Sequence, residues 1–221
     1  MKKLLGFTCL FCLAALLQSA QAQKIRLNAY AGYVFDDNVD SYYSNTSYFN
    51  GTIQGSFQWG AGIEYRLHDA YGIELLYYRQ DTKAPITYYD YNSLREKYSN
   101  VDVAVNYILI GGARNFARSE RFEPYGGFML GVGIIDAENP DTDFKGSATK
   151  FAWGLRLGTN IWTSGAIGLK LQAQLLSCTQ AAGGGIYFGT GGVGTGVSTY
   201  SSMLQFGLGG GLTFRLQGAK K

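Results

Sequence analysis

Eight segments of this chain alternate apolar residues with small or polar ones at period two, and the connections between them alternate short and long. In residues 57–67 the odd positions are Phe57, Trp59, Ala61, Ile63, Tyr65 and Leu67, and the even ones are Gln58, Gly60, Gly62, Glu64 and Arg66. Successive side chains of a strand point to opposite faces, so one face is greasy and the other is not. Such a strand can coat lipid on one side and fill a lumen on the other.

The same division runs through residues 25–35, 71–78, 127–134, 151–161, 167–175 and 204–215. The remaining segment, residues 101–109, sets Val101, Val103, Val105, Tyr107 and Leu109 against Asp102, Ala104 and Asn106, and the same rule turns its apolar set toward lipid. Residues 68–70, about 117–123 and 162–166 make short connections, whereas 36–56, 81–100, 136–150 and 179–202 make long ones. Tight periplasmic turns and long extracellular loops are the pattern of an eight-stranded, antiparallel, up-and-down transmembrane β-barrel with both termini periplasmic.

A soluble barrel of lipocalin type also alternates, with its apolar set inward. Lipid outside is favoured by strands near 11 residues, by aromatics at strand ends (Tyr33, Trp59, Tyr65, Tyr71, Tyr77, Trp153, Phe214), and by glycine on the less apolar face. Glycine does not solubilise an exterior, but it makes room in a narrow lumen that must also hold arginine, glutamate and tyrosine.

Residues 1–22 read as a secretory signal: Lys2 and Lys3 precede an apolar run from Leu4 to Leu17, and Ala20-Gln21-Ala22 supplies small residues for cleavage. Residues 23–221 then form one barrel domain with 17 Lys plus Arg against 16 Asp plus Glu, a balance that argues against a nucleic-acid partner. Cys178 is the one cysteine after the signal, so no intrachain disulfide forms, and it reads as a small strand-end residue. No later stretch is apolar enough for a membrane helix, so membrane residence requires the barrel.

With these segments and the Ala20-Gln21-Ala22-Gln23 signal end, residues 23–216 resemble the small outer-membrane barrels of the OmpA and OmpX kind, especially the outer-membrane protein β-barrel family common in Bacteroidetes. The resemblance implies an integral protein of a Gram-negative outer membrane, with outer-membrane lipid and lipopolysaccharide as its surroundings. Phe214 stands seven residues from the end of the chain, where many such proteins close on an aromatic.

Catalytic chemistry is not legible. His68 is the only histidine and falls in a turn on the periplasmic side, which removes most routes to a metal site or a triad. The glycine runs near residues 183–185 and 189–194 lack the Lys-Ser/Thr of a phosphate loop. Neither an enzyme nor a cofactor is expected.

One constellation is more specific. If Leu67 and Tyr71 flank the first turn, Glu64 and Glu74 become direct cross-strand neighbours on the lumen face. Paired carboxylates serve retaining glycosidases, but an eight-stranded lumen offers no sugar-sized cleft. Arg156 and Lys170 point inward from the opposite wall, so the reading is a salt-bridge plug of Glu64, Arg66, Glu74, Arg156 and Lys170.

The long connections carry the aromatics Tyr42, Tyr43, Tyr48 and Phe49, then Tyr88, Tyr89, Tyr91 and Tyr98, then Tyr187, Phe188 and Tyr200. Tyrosine offers rigid contact area with a polar tip, which suits recognition. The expectation is a monomer with a closed lumen that acts in adhesion or envelope integrity through these loops, toward a surface or envelope protein. An accessory barrel of a secretion or motility complex is the rival, and an outer-membrane lipid-modifying enzyme the more distant one.

Overall fold

The computed structural model describes residues 24–44, 47–90, 95–116, 119, 121–140, 144–163, 165–179, 184–189, 192–197 and 203–216. The expected signal, residues 1–22, lies outside them. Twelve strands are described: β1 (Ile25–Val34), β2 (Asp37–Ser44), β3 (Ser47–Ile53), β4 (Ser56–His68), β5 (Tyr71–Asp90), β6 (Arg95–Asn115), β7 (Phe122–Asn139), β8 (Phe144–Trp162), β9 (Ile167–Thr179), β10 (Gly184–Gly189), β11 (Gly192–Val197) and β12 (Met203–Arg215).

Eight of them, β1, β4, β5, β6, β7, β8, β9 and β12, pair antiparallel in ring order, and β12 pairs with β1 to close the ring. Followed from Leu27 strand by strand, the pairing reaches Leu204 of β12, which lies level with Asp37, ten residues beyond Leu27. That stagger over eight strands tilts them by about 40° and narrows the interior to side-chain width.

Lipid-facing residues line up in rungs. Across β5 to β8, Ile73, Gly112, Phe128 and Leu155 are paired in register; Leu75, Ile110, Leu130 and Trp153 form the next rung, and Tyr77, Ile108, Val132 and Phe151 the one above. Leu75 and Ile110 are 55% and 58% exposed, a large apolar exposure that only a lipid surround makes favourable.

Two expectations are corrected here. The long connections are not irregular loops: β2 and β3 form a hairpin within 36–56, β5 and β6 stay paired up to Asp90 and Arg95, β7 and β8 up to Asn139 and Phe144, and β10 pairs β11. The β10–β11 hairpin touches β8 on one side and β3 and β5 on the other, so it lies across the mouth. Pro85 hid this continuity in the sequence. The Lys83 carbonyl accepts from the Gln54 N–H, so odd residues of β5 turn their backbone groups toward the β3–β4 side. There β5 pairs with β4 only to Gln80 and with β3 only from Ile86, and a missing N–H at Pro85 breaks no rung.

The second correction concerns β6. Val101, Val103, Val105, Tyr107 and Leu109 face inward and are buried, while Asp102 faces outward and is exposed. The upper end of β6 stands beyond the last apolar rung, so its outer face meets a polar medium and its apolar face turns to the interior. Ile108 and Ile110, lower down, supply the lipid-facing surface of this strand.

Candidate functional site

The interior is filled in three layers, and the first is ionic. Two acids act as its hubs. Glu74 Oε1 accepts hydrogen bonds from Asn28 Nδ2 and the Tyr30 hydroxyl, each at 2.6 Å, and its Oε2 takes Arg156 Nη1 from the opposite wall at 2.6 Å. Glu123 accepts from Arg26 Nη1 at 2.9 Å, Asn115 Nδ2 at 2.9 Å, and Asn160 Nδ2 and Trp162 Nε1 at 3.2 Å. Three or more donors on one carboxylate satisfy its lone pairs, which is the condition for keeping it charged in a dry interior.

Glu64 is the looser third acid. Arg66 stands 3.5 Å from it, Arg26 3.6 Å and Lys170 3.8 Å. It is paired in register with Glu74, as neighbouring carboxylates on one face. Lys170 Nζ also lies 4.8 Å from the centre of the Tyr125 ring, and Arg66 donates to the Asp69 carbonyl. The strands bring Glu64, Arg66, Glu74, Arg156 and Lys170 together because all five fall on the inward parity of β4, β5, β8 and β9. Glycine makes the space: a Cβ at Gly62 would collide with the Glu74 carboxylate, and one at Gly72 would stand 2.9 Å from Glu64 Oε1.

Sequence reasoning missed Glu123 and Arg26 as members. Glu123 falls in the connection read at about 117–123, whereas the pairing of Phe122 with Ile161 and of Glu123 with Asn160 starts β7 at Phe122. Arg26 falls on the less apolar face of residues 25–35, where period two alone names no partner for it.

Above the ions lies a belt of tyrosine and glutamine. The Tyr125 hydroxyl donates to Gln172 Oε1 at 2.9 Å, Gln172 Nε2 donates to the Tyr78 hydroxyl and to Gln174 Oε1 at 3.0 Å, and Gln174 Nε2 donates to Gln58 Oε1 at 2.5 Å. This chain of amides crosses from β7 to β4. Higher still the interior is mostly apolar: Ile86, Val101, Val103, Val105, Met129 and Leu176 pack together with Cys178, a buried free thiol, and the polar exceptions are Gln80 and the hydrogen-bonded Ser99 and Asn139. These three layers leave no described passage through the ring.

Outside the span, the Asp37 carboxyl is pushed above its usual range by burial, against the pull of the Leu204 N–H that donates to it at 2.8 Å. Of the aromatic candidates, Tyr98 stands on β6 and is 67% exposed. Tyr42, Tyr43, Tyr48, Phe49, Tyr88, Tyr89, Tyr187 and Phe188 lie on described strands, but their side chains are outside the described residues, as are Tyr91 and Tyr200 altogether. His68 sits in the β4–β5 turn, where its Nδ1 accepts from the Ala70 N–H at 3.4 Å. Among the described residues no group of histidine, cysteine, aspartate and glutamate converges to hold a metal ion.

The model of the outer membrane protein β-barrel domain family matches residues 7–176. No curated protein matches the chain. Among solved structures it is similar to neisserial surface protein A, with 14% identity, 87% of this chain and 97% of that one covered, and a TM-score of 0.55. OprG of Pseudomonas aeruginosa is similar at 14% identity, with 90% and 99% covered and a TM-score of 0.54. The outer membrane protease OmpT of Escherichia coli is similar at 10% identity, with 89% and 98% covered and a TM-score of 0.50. These likenesses show the fold, and a fold shared with a protease does not assign chemistry.

Proposed function

This chain belongs to the outer membrane protein β-barrel domain family and is an integral outer-membrane protein, and from that premise we propose that it works at the cell surface, without catalysis, by contact with a partner protein or surface. The observation that carries this reading is the length of β5 and β6. They run 20 and 21 residues and stay paired throughout, whereas about 9 to 11 residues cross a bilayer. Roughly half of that hairpin therefore stands outside the membrane, and the β2–β3 hairpin pairs with its outer part. Recognition usually resides in segments held out on a rigid scaffold.

The described interior supports the same reading, because among the described residues the ionic, tyrosine–glutamine and apolar layers fill the ring with side chains. The short turns lie at the end that carries both termini, and this reading takes that end as periplasmic and the hairpins as extracellular. The tips carry tyrosine, with Tyr98 exposed among the described residues.

The test replaces residues 41–48 and 87–98 by short Gly/Ser turns in cells that carry equal amounts of folded, heat-modifiable barrel. The reading expects weaker adhesion, or loss of proteins crosslinked to the barrel. Unchanged adhesion, crosslinks and envelope integrity would move the role to the periplasmic or lipid-facing side.

A further inference from the structure

The inner face of the seam where the first and last strands close the ring is bare. Gly32 and Gly209 are paired across it, and a Cβ on either would stand 2.9 Å from the Cα of the other, so this rung carries no side chain. On its lumen side lies a cavity of about 10 Å³, the space in which one water can be centred. Tyr30, Val34, Gln58, Tyr78, Gln172 and Gln174, all buried, make the other walls.

The amide belt runs past this cavity and stops short of closing on itself. Gln172 Nε2 donates to the Tyr78 hydroxyl and to Gln174 Oε1, and Gln174 Nε2 donates to Gln58 Oε1. Two donors are left over. Gln58 Nε2 is buried without an acceptor, and the Tyr78 hydroxyl, which accepts from Gln172, donates to nothing among the described residues. Both line the same cavity. A buried N–H or O–H without an acceptor forfeits the hydrogen bond that it makes in water, and native interiors rarely leave one so.

We propose that this cavity is a binding site for one ordered water, which accepts from Gln58 Nε2 and the Tyr78 hydroxyl and donates to Gln174 Oε1. The water oxygen has one lone pair for each donor, and Gln174 Oε1, holding only the Gln172 N–H, has a second lone pair to offer. Three hydrogen bonds are what a buried water typically makes. The belt then closes into a ring of Gln172, Tyr78, water, Gln58 and Gln174, which ties β9, β5 and β4 together through the middle of the lumen. A halide would satisfy the two donors but brings no hydrogen to Gln174 Oε1, and a metal cation is opposed by both donors.

The test is made on the full-length barrel folded in detergent micelles, with the Gln58 side-chain amide observed by nuclear magnetic resonance. The expected result is water cross-peaks to the Gln58 amide hydrogens of opposite sign in the laboratory and rotating frames, the mark of a water held in place rather than of proton exchange. Val34→Ile adds a methylene to one wall of the cavity. It should remove these cross-peaks and shift the urea midpoint of unfolding downward, because displacing the water leaves Gln58 and Tyr78 without an acceptor, with heat-modifiability on a gel certifying that the variant is folded. Absence of the cross-peaks in the unaltered protein would overturn the proposal. So would cross-peaks that survive in Val34→Ile, which would place the water elsewhere, or a raised urea midpoint, which marks the filling of a dry cavity.

Discussion

Along β6, Ile108 and Ile110 face outward and are 45% and 58% exposed, whereas Val101, Val103 and Val105 face inward and are at most 3% exposed. The two ends of this strand keep the same period of two with opposite meaning. In the lower half the outer face is apolar and the interior holds Arg26, Glu64, Glu74, Glu123 and Arg156; in the upper half the outer face holds Asp81, Lys83, Asp102 and Glu138 and the interior is mostly aliphatic, with Gln80, Ser99 and Asn139 as its buried polar members. The difference follows from the medium outside. Lipid makes exposed isoleucine favourable and leaves ionic groups only the lumen, where they must satisfy one another; water or headgroups restore the ordinary arrangement of a soluble sheet.

Two kinds of interior should respond differently to mutation. Removing one hub of the ionic half leaves a buried cation without its partner, so Glu74→Ala is expected to cost about 3 to 5 kcal/mol in urea unfolding of the barrel in lipid vesicles. Glu74→Leu combined with Arg156→Met should recover most of that loss, because replacing both charges by apolar side chains of similar size is often neutral. If the double variant is as unstable as the single one, the ion pair is not what the single substitution damages.

In the aliphatic half the loss is one of packing. Ile86 is 1% exposed in that layer, and Ile86→Ala should cost about 2 to 4 kcal/mol through lost burial and a residual cavity. Here the pH of the unfolding experiment should not matter. A strong pH dependence of this loss would mean that ionic contacts reach higher in the lumen than the boundary at Tyr78 and Gln172.

The smallest effect concerns Asp37 at the end of the barrel that carries the long hairpins. Burial raises its folded-state carboxyl above the unfolded value, so the native state holds that proton more tightly. Its contribution to stability is therefore present below the unfolded carboxyl range and is lost as pH rises through the raised value. Asp37→Asn should flatten that decline in an unfolding-against-pH series, by about 0.5 kcal/mol or less because the group is only half-buried. A steeper decline in the variant would contradict the sign.

Period two was enough to place the ionic residues on one face, because parity within a strand does not depend on where the strand ends. It was also enough to set Glu64 beside Glu74, since their register needs only the position of the first turn; a bulge between Arg66 and His68 shifts pairing at the turn without disturbing that rung. Strand ends were harder to read. Glu123 is the second residue of β7 by the pairing, yet by composition it belongs to a polar connection. The phase of β6 was not legible for a deeper reason: whether valine should face in or out depends on the height of the bilayer edge, and nothing local to residues 101–105 records it. The same edge explains why residues 81–100 read as a loop, since charged outward residues and Pro85 break the lipid-type pattern while the strand continues.

The reversal of faces is the central claim, and site-directed spin labelling along β6 tests it most directly. In a Cys178→Ala background, Asp102→Cys, Ala104→Cys, Asn106→Cys, Ile108→Cys and Ile110→Cys sample the outer face, and Val103→Cys and Val105→Cys the interior. Labels at 108 and 110 should collide with dissolved oxygen in the bilayer, those at 102 and 104 with an aqueous nickel chelate, and those at 103 and 105 with neither. Oxygen access at 102 and 104 together with nickel access at 103 and 105 would contradict the account, because it would mean that the apolar face of upper β6 lines a water-filled lumen rather than a packed one.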